Sequence, residues 1–195
     1  KASKNFDLEK YILTKFKESN MPYAVAHVIL TIVIADIYRD YFAKKKFPMI
    51  YVLIAGIAGL LPDADIFISW IFNFVFGTEY NLHRIYTHSL LYAIVVFLTA
   101  MAVSFFAKEK YKFLKWNVPK QAVVMFFLAV SFGWFMHIAL DCTISADGYL
   151  NLISSVPLTF CPHPWSNNTI VGFDAIILVL WLIHEQWKHD IKDYI

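Results

Sequence analysis

The chain has 195 residues, 59% hydrophobic and only 16% charged, with a mean hydropathy of +0.54. Soluble domains run nearer a quarter charged, so a water-soluble globule is excluded and one integral membrane domain over residues 1–195 is expected. A net charge of +2 is too small to argue for nucleic acid, and two cysteines exclude a disulfide framework while allowing one bridge.

Residues 1–20 open the chain. Within them Phe6, Leu8, Tyr11, Ile12 and Phe16 recur among Lys and Glu, a pattern of an amphipathic helix lying on the membrane surface or of an ordinary N-terminal helix. A helix bundle is expected over residues 23–187. Its first span runs from Tyr23 to Phe42, with His27 near its start and Asp36, Arg39 and Asp40 near its end. No small-residue cleavage site follows it, so it reads as a spanning helix and not a signal peptide. Lys44, Lys45 and Lys46 stop it.

Pro48 to Pro62 forms a second apolar block of about 22 Å, short of a bilayer. Pro62 ends it because proline lacks the donor for the next helical bond. Ile66 to Phe76 reads as a re-entrant or interfacial segment. The third span covers Thr87 to Ala107, and a lysine-rich loop follows to Lys120. The fourth covers Gln121 to Asp141. A polar stretch, Cys142 to Gly172, leads to the fifth at Phe173 to Trp187. The expected fold is therefore all-α: a polytopic bundle of about five spanning helices.

Antiparallel spans alternate sides of the membrane, which fixes where the polar residues meet. With the start of the first span on side A, the second block returns Asp63 and Asp65 to that side. His83 and His88 open the third span there, and the fourth brings His137 and Asp141 back to it. Seven ionisable groups thus converge on one face. Such groups are costly near membrane depth and tend to be functional. Side B collects Arg39, Lys44 to Lys46, five lysines between Lys108 and Lys120, Lys188 and Lys192. The positive-inside rule makes side B cytoplasmic and side A extracytoplasmic. There Cys142 and Cys161 either pair or remain two buried thiols.

His137 and Asp141 are four apart on a helix and share a face. Asp63 and Asp65, in an extended turn after Pro62, would point the same way. Imidazole and carboxylate together suit zinc, manganese or iron better than calcium. The expected metal ligands are His27, Asp63, Asp65, His83, His88, His137 and Asp141, holding two or three divalent transition ions. Asp63 would bridge the ions or orient a water, His83 would be a ligand or support one, and Arg84 would hold a phosphate. His163, between two prolines, caps the site or contacts substrate. His184 and His189 read as surface groups. Asp36, Arg39 and Asp40 read as snorkelling or pairing at the side B boundary.

Leu61-Pro62-Asp63-Ala64-Asp65, then His83, Arg84, Thr87, His88, Ser89 and Leu90, then His137, Leu140, Asp141 and Thr143 with Gly148 and Pro157, resemble the YdjM-like family. Its members are described as inner-membrane metal-dependent hydrolases. The resemblance covers about Ala24 to Pro157 and includes His27. Two positions depart from the pattern: Ile85 stands for a glycine and Thr31 for a small residue, and both reshape the pocket. A distant similarity of that family to zinc-dependent phospholipase C and P1-type nucleases implies phosphoester hydrolysis, here of a lipid or lipid-linked substrate. The alternative is a non-catalytic membrane protein with a structural metal that binds a regulatory partner.

Overall fold

The structure is a computed structural model, described over residues 23–78, 87–107, 109–113, 116–144, 149–153, 156–161 and 167–188. The amphipathic reading of residues 1–20, and His83, Arg84, His163 and His189, lie outside these residues.

Six helices account for most of the described chain: α1 (Tyr23–Ile37), α2 (Ile50–Ala58), α3 (Ala64–Phe76), α4 (Leu90–Phe106), α5 (Lys120–Ile144) and α6 (Asn167–Lys188). A π-helical turn, Tyr38–Phe42, prolongs α1. The helical class is as expected, and the boundaries fall close to the apolar blocks. Of the five expected spans, Lys120–Thr143 is the one helix among the described residues that is long and apolar enough by itself to cross a membrane. At 17 residues α4 reaches about 25 Å and at 13 residues α3 about 20 Å.

Two antiparallel hairpins were not expected. In the lysine-rich loop β1 (Lys110–Phe113) pairs with β2 (Trp116–Pro119), and in the polar stretch β3 (Tyr149–Ile153) pairs with β4 (Val156–Phe160). Each strand is four or five residues long, too short for its alternation to stand out beside 20-residue apolar runs. The second hairpin is stapled at its base, where Cys142 and Cys161 form a disulfide. This resolves the pairing left open by the sequence.

Helix α5 is the central post, packed against α2 and α4. Two devices bring it close. Gly133 abuts the backbone of α2: a Cβ there would collide with the Ala55 carbonyl oxygen, Ala58 Cβ and Gly59 N. Ser131 donates to the Ala93 carbonyl of α4 at 2.8 Å. The buried core behind this contact contains Ile32, Ala35, Met49, Val52, Ala55 and Ala129. The outer surface is apolar as well. Phe67, Trp70 and Phe74 on α3, Leu98, Phe105 and Phe106 on α4, and Ile176, Leu180 and Trp187 on α6 are all exposed. Contiguous exposure of large apolar side chains marks a surface that meets lipid or another apolar partner.

Candidate metal centre

Four elements deliver ionisable side chains to one end of α5. His27 comes from the first turns of α1, Asp63 from the turn after α2, His88 from the residues just before α4, and His137 and Asp141 from the last turns of α5. His137 and Asp141 share a face because they are four apart. His27 and His137 are fully buried, and His88 nearly so.

His88 Nε2 lies 3.2 Å from His137 Nε2 and 3.3 Å from Asp63 Oδ1. Asp141 Oδ2 lies 3.4 Å from His88 Nε2 and 3.5 Å from His137 Nε2, and Asp63 Oδ1 is 3.6 Å from His137 Nε2. The two imidazole nitrogens lie 3.2 Å apart, and each stands 3.3 to 3.6 Å from both carboxylate oxygens, close to the roughly 3.4 Å between neighbouring ligands held at about 2.1 Å by one tetrahedral zinc ion. Imidazole and carboxylate donors at these separations suit a transition ion.

Asp141 also reaches the other way, with Oδ1 3.2 Å from His27 Nε2. His27, His137 and Asp141 make a second ligand triad beside that of Asp63, His88 and His137. An imidazole nitrogen has one lone pair and serves one ion, so His137 cannot join both at once. A carboxylate can, and Asp141 directs Oδ1 toward His27 and Oδ2 toward His88 and His137, so it is the side chain reaching both triads that would be able to serve two ions.

The outer nitrogens of the two central imidazoles are committed elsewhere, which is how ligating histidines are usually aimed. His137 Nδ1 donates to the Gly59 carbonyl at 2.6 Å. That bond fixes the tautomer that leaves Nε2 unprotonated. His88 Nδ1 faces Thr87 Oγ1 at 3.1 Å and Asp65 Oδ2 at 3.6 Å, and Thr87 in turn donates to Asp65. Asp65, counted among the ligands from sequence, therefore stands behind His88 and orients it. The reason is local: residues 63–66 are helical and not extended, with Asp63 at φ −77°, ψ −5°. Asp63 and Asp65 thus diverge by about two helical steps and meet opposite sides of one imidazole.

Residues that carry no donor atom to the centre hold its frame. Trp134 Nε1 donates to the Thr87 carbonyl. Ser89 caps α4 through Leu91 N and donates to the Leu152 carbonyl of β3, tying the stapled hairpin to the residue beside His88. Thr31, fully buried one turn after His27, lies against Gly59. Trp134 does not stand out in the sequence, because an indole in an apolar helix has no spacing signature.

Access is from the carboxylate edge. The Asp63 and Asp141 side chains are 25% and 20% exposed, against 8% or less for the three imidazoles.

At the opposite end, Asp40 pairs with Arg39 and Lys46 at 2.8 and 3.1 Å, as a boundary residue should. His184 is not the surface group expected. It is half-buried and faces the fully buried Asp36, because α6 packs along α1.

A helical fold with a histidine–aspartate centre at one end of an apolar bundle defines a membrane protein with a metal-type site. The chain belongs to the YdjM family of inner membrane proteins, whose family model matches residues 21–191. No curated protein and no solved structure matches it.

Proposed function

We propose that this chain is a membrane-embedded, metal-dependent hydrolase that cleaves a phosphoester of a lipid or lipid-linked substrate. The observation that carries the proposal is the cluster of His88 and His137 Nε2, 3.2 Å apart, with an oxygen of Asp63 and of Asp141 each 3.3 to 3.6 Å from both nitrogens and the two carboxylates at the accessible edge. A divalent transition ion, zinc or else manganese or iron, supplies a Lewis acid there and lowers the pKa of water toward ~7. His88 and His137 would hold such an ion through Nε2, with Asp141 placed between them and His27. Asp63, at the accessible edge, accepts the proton of the attacking water. The water oxygen bonds to phosphorus, the phosphorus–oxygen bond to the alcohol breaks, and the proton passes to the departing alkoxide. Arg84 is assigned to the phosphate, and His83 to ligating an ion or supporting a ligand. The phosphoester class rests on the resemblance to zinc-dependent phospholipase C and P1-type nucleases.

The lipid assignment rests on place. In this reading Tyr23–Phe42, α4 and α6 cross the membrane alongside α5, and α2 with α3 forms the shorter inserted part. The exposed apolar faces of α3, α4 and α6 then meet acyl chains. An apolar groove of about 830 Å³ between α1, α2, α4 and α5, with Lys44 and Lys45 at one end, suits a hydrocarbon tail. The centre faces the extracytoplasmic side, since the lysines lie on the other and the Cys142–Cys161 bond belongs in an oxidising space.

The test is metal analysis of full-length protein purified without chelator, followed by a screen of phosphomonoesters, phosphodiesters and phospholipids in mixed micelles. Stoichiometric metal, and hydrolysis that disappears in Asp141→Ala, are expected. Protein that carries no transition metal overturns the proposal. A second reading is favoured by one observation: four protein donors also make a closed site, as structural zinc uses. Cobalt-substituted protein decides between them. A spectrum that shifts with added phosphate or azide marks an open position, and one that does not marks a structural ion.

A further inference from the structure

Helix α1 carries a second buried acid that the centre above does not use. Asp36 lies nine residues beyond His27, about 13 Å further along the axis and on the opposite side of the helix. It is 1% exposed. His184 and Glu185 of α6 face it, with His184 Nδ1 3.4 Å from Asp36 Oδ2 and 3.6 Å from Glu185 Oε1. One donor atom from each of the three lies within 4.8 Å of the others.

We propose that Asp36, His184 and Glu185 form a second divalent transition-metal site at the far end of the bundle, independent of the first. Imidazole and carboxylate are both zinc donors, and three protein donors leave a fourth position open. The imidazole nitrogen stands 3.4 and 3.6 Å from the two carboxylate oxygens, separations compatible with bonds of about 2.1 Å to one ion. Charge points the same way. Two carboxylates and a neutral imidazole carry −2, which a divalent ion cancels. A protonated His184 would leave −1 in a helix seam. Arg39, Lys46 and Lys188 approach the neighbouring Asp40 at 2.8, 3.1 and 3.8 Å, and Lys188 feels the Asp36 charge as well. Asp36 also sits on a different helix from its two partners, so the ion would clamp α6 to α1. The ligand class is a bare or hydrated transition cation, zinc being the natural probe.

The experiment counts zinc per chain in full-length protein in detergent after loading and desalting. Asp36→Asn and His184→Ala should each lower the count by one equivalent. The His88→Ala/His137→Ala double variant should retain that equivalent, and adding His184→Ala to it should remove it. A count unchanged in both Asp36→Asn and His184→Ala, or zero in the double variant, overturns the second site. His184 is only half-buried, so its alanine variant gives a reading even if Asp36→Asn does not fold. Phosphoesterase activity enters none of these counts, so failure of the hydrolase assignment and failure of this site are distinguishable.

Discussion

Replacing Gly133 by alanine tests whether the centre depends on one close helix contact. The new Cβ would meet the Ala55 carbonyl oxygen, Ala58 Cβ at 2.8 Å and Gly59 N at 2.9 Å. These are helix and turn atoms with no flexible side-chain end to retreat. Ordinary contact begins near 3.4 Å, so α5 and α2 must separate by at least about 0.5 Å, an overpacking that costs about 1–3 kcal/mol. The displacement falls on the metal centre because His137 sits one turn further along the same face and its Nδ1 bonds the carbonyl of Gly59 itself, at 2.6 Å. Losing such a supporting bond lowers metal affinity about 10–100-fold. A chromophoric chelator competing for zinc against full-length protein in detergent reads the affinity, and thermal unfolding reads the stability. Gly77→Ala is the control. Gly77 ends α3 at φ +63° with nothing within 4 Å of a Cβ, so alanine there costs stability through backbone strain of roughly 1 kcal/mol but should leave zinc affinity unchanged. If Gly133→Ala binds zinc within twofold of the parent, the link from α2–α5 packing to His137 is wrong.

Asp65→Asn should weaken zinc about 10–100-fold without abolishing it, because Asp65 stands behind His88; a complete loss in the same competition assay would make it a direct ligand. Asp141→Ala should remove metal and any hydrolysis together while leaving the helical circular dichroism intact, since Asp141 lies in the last turn of α5 and not in the apolar core. Cys142→Ser should lower stability by about 3 kcal/mol, the chain-entropy value for a loop of this length, given a sequence separation of 19; an unchanged unfolding midpoint under oxidising conditions would show that the bridge contributes nothing.

The meeting of His27, Asp63, His88, His137 and Asp141 was legible because membrane topology is nearly one-dimensional. Once apolar blocks must alternate direction, every block end is assigned to a side, and no side-chain detail is needed. What that reasoning cannot supply is direction within a side. Asp63 and Asp65 were placed together as though extended, and the helical turn after Pro62 sends them to opposite nitrogens of His88. Asp141 stands between the two triads only because its two oxygens point to different imidazoles, a fact of rotamer and not of spacing. The two hairpins escaped notice because four-residue strands carry too few alternations to compete with their apolar surroundings.

The pairing of Asp36 with His184 was hidden for a different reason. These residues are far apart in sequence, and their contact depends on which helix packs beside which, something alternation of sides does not specify. Read alone, Asp36 near a helix end is a boundary acid that snorkels. Yet snorkelling requires a side chain long enough to reach water, and aspartate is too short to do it from a buried position. A fully buried aspartate on a helix of this bundle therefore needs a charged partner delivered by a neighbouring helix. That requirement could have been applied to the sequence, where His184 and Glu185 supply a histidine and an acid within the matching end of the last apolar block. The same logic that gathers the first centre, counting which ionisable groups share a membrane level, thus finds the second once burial of the aspartate is taken as the premise.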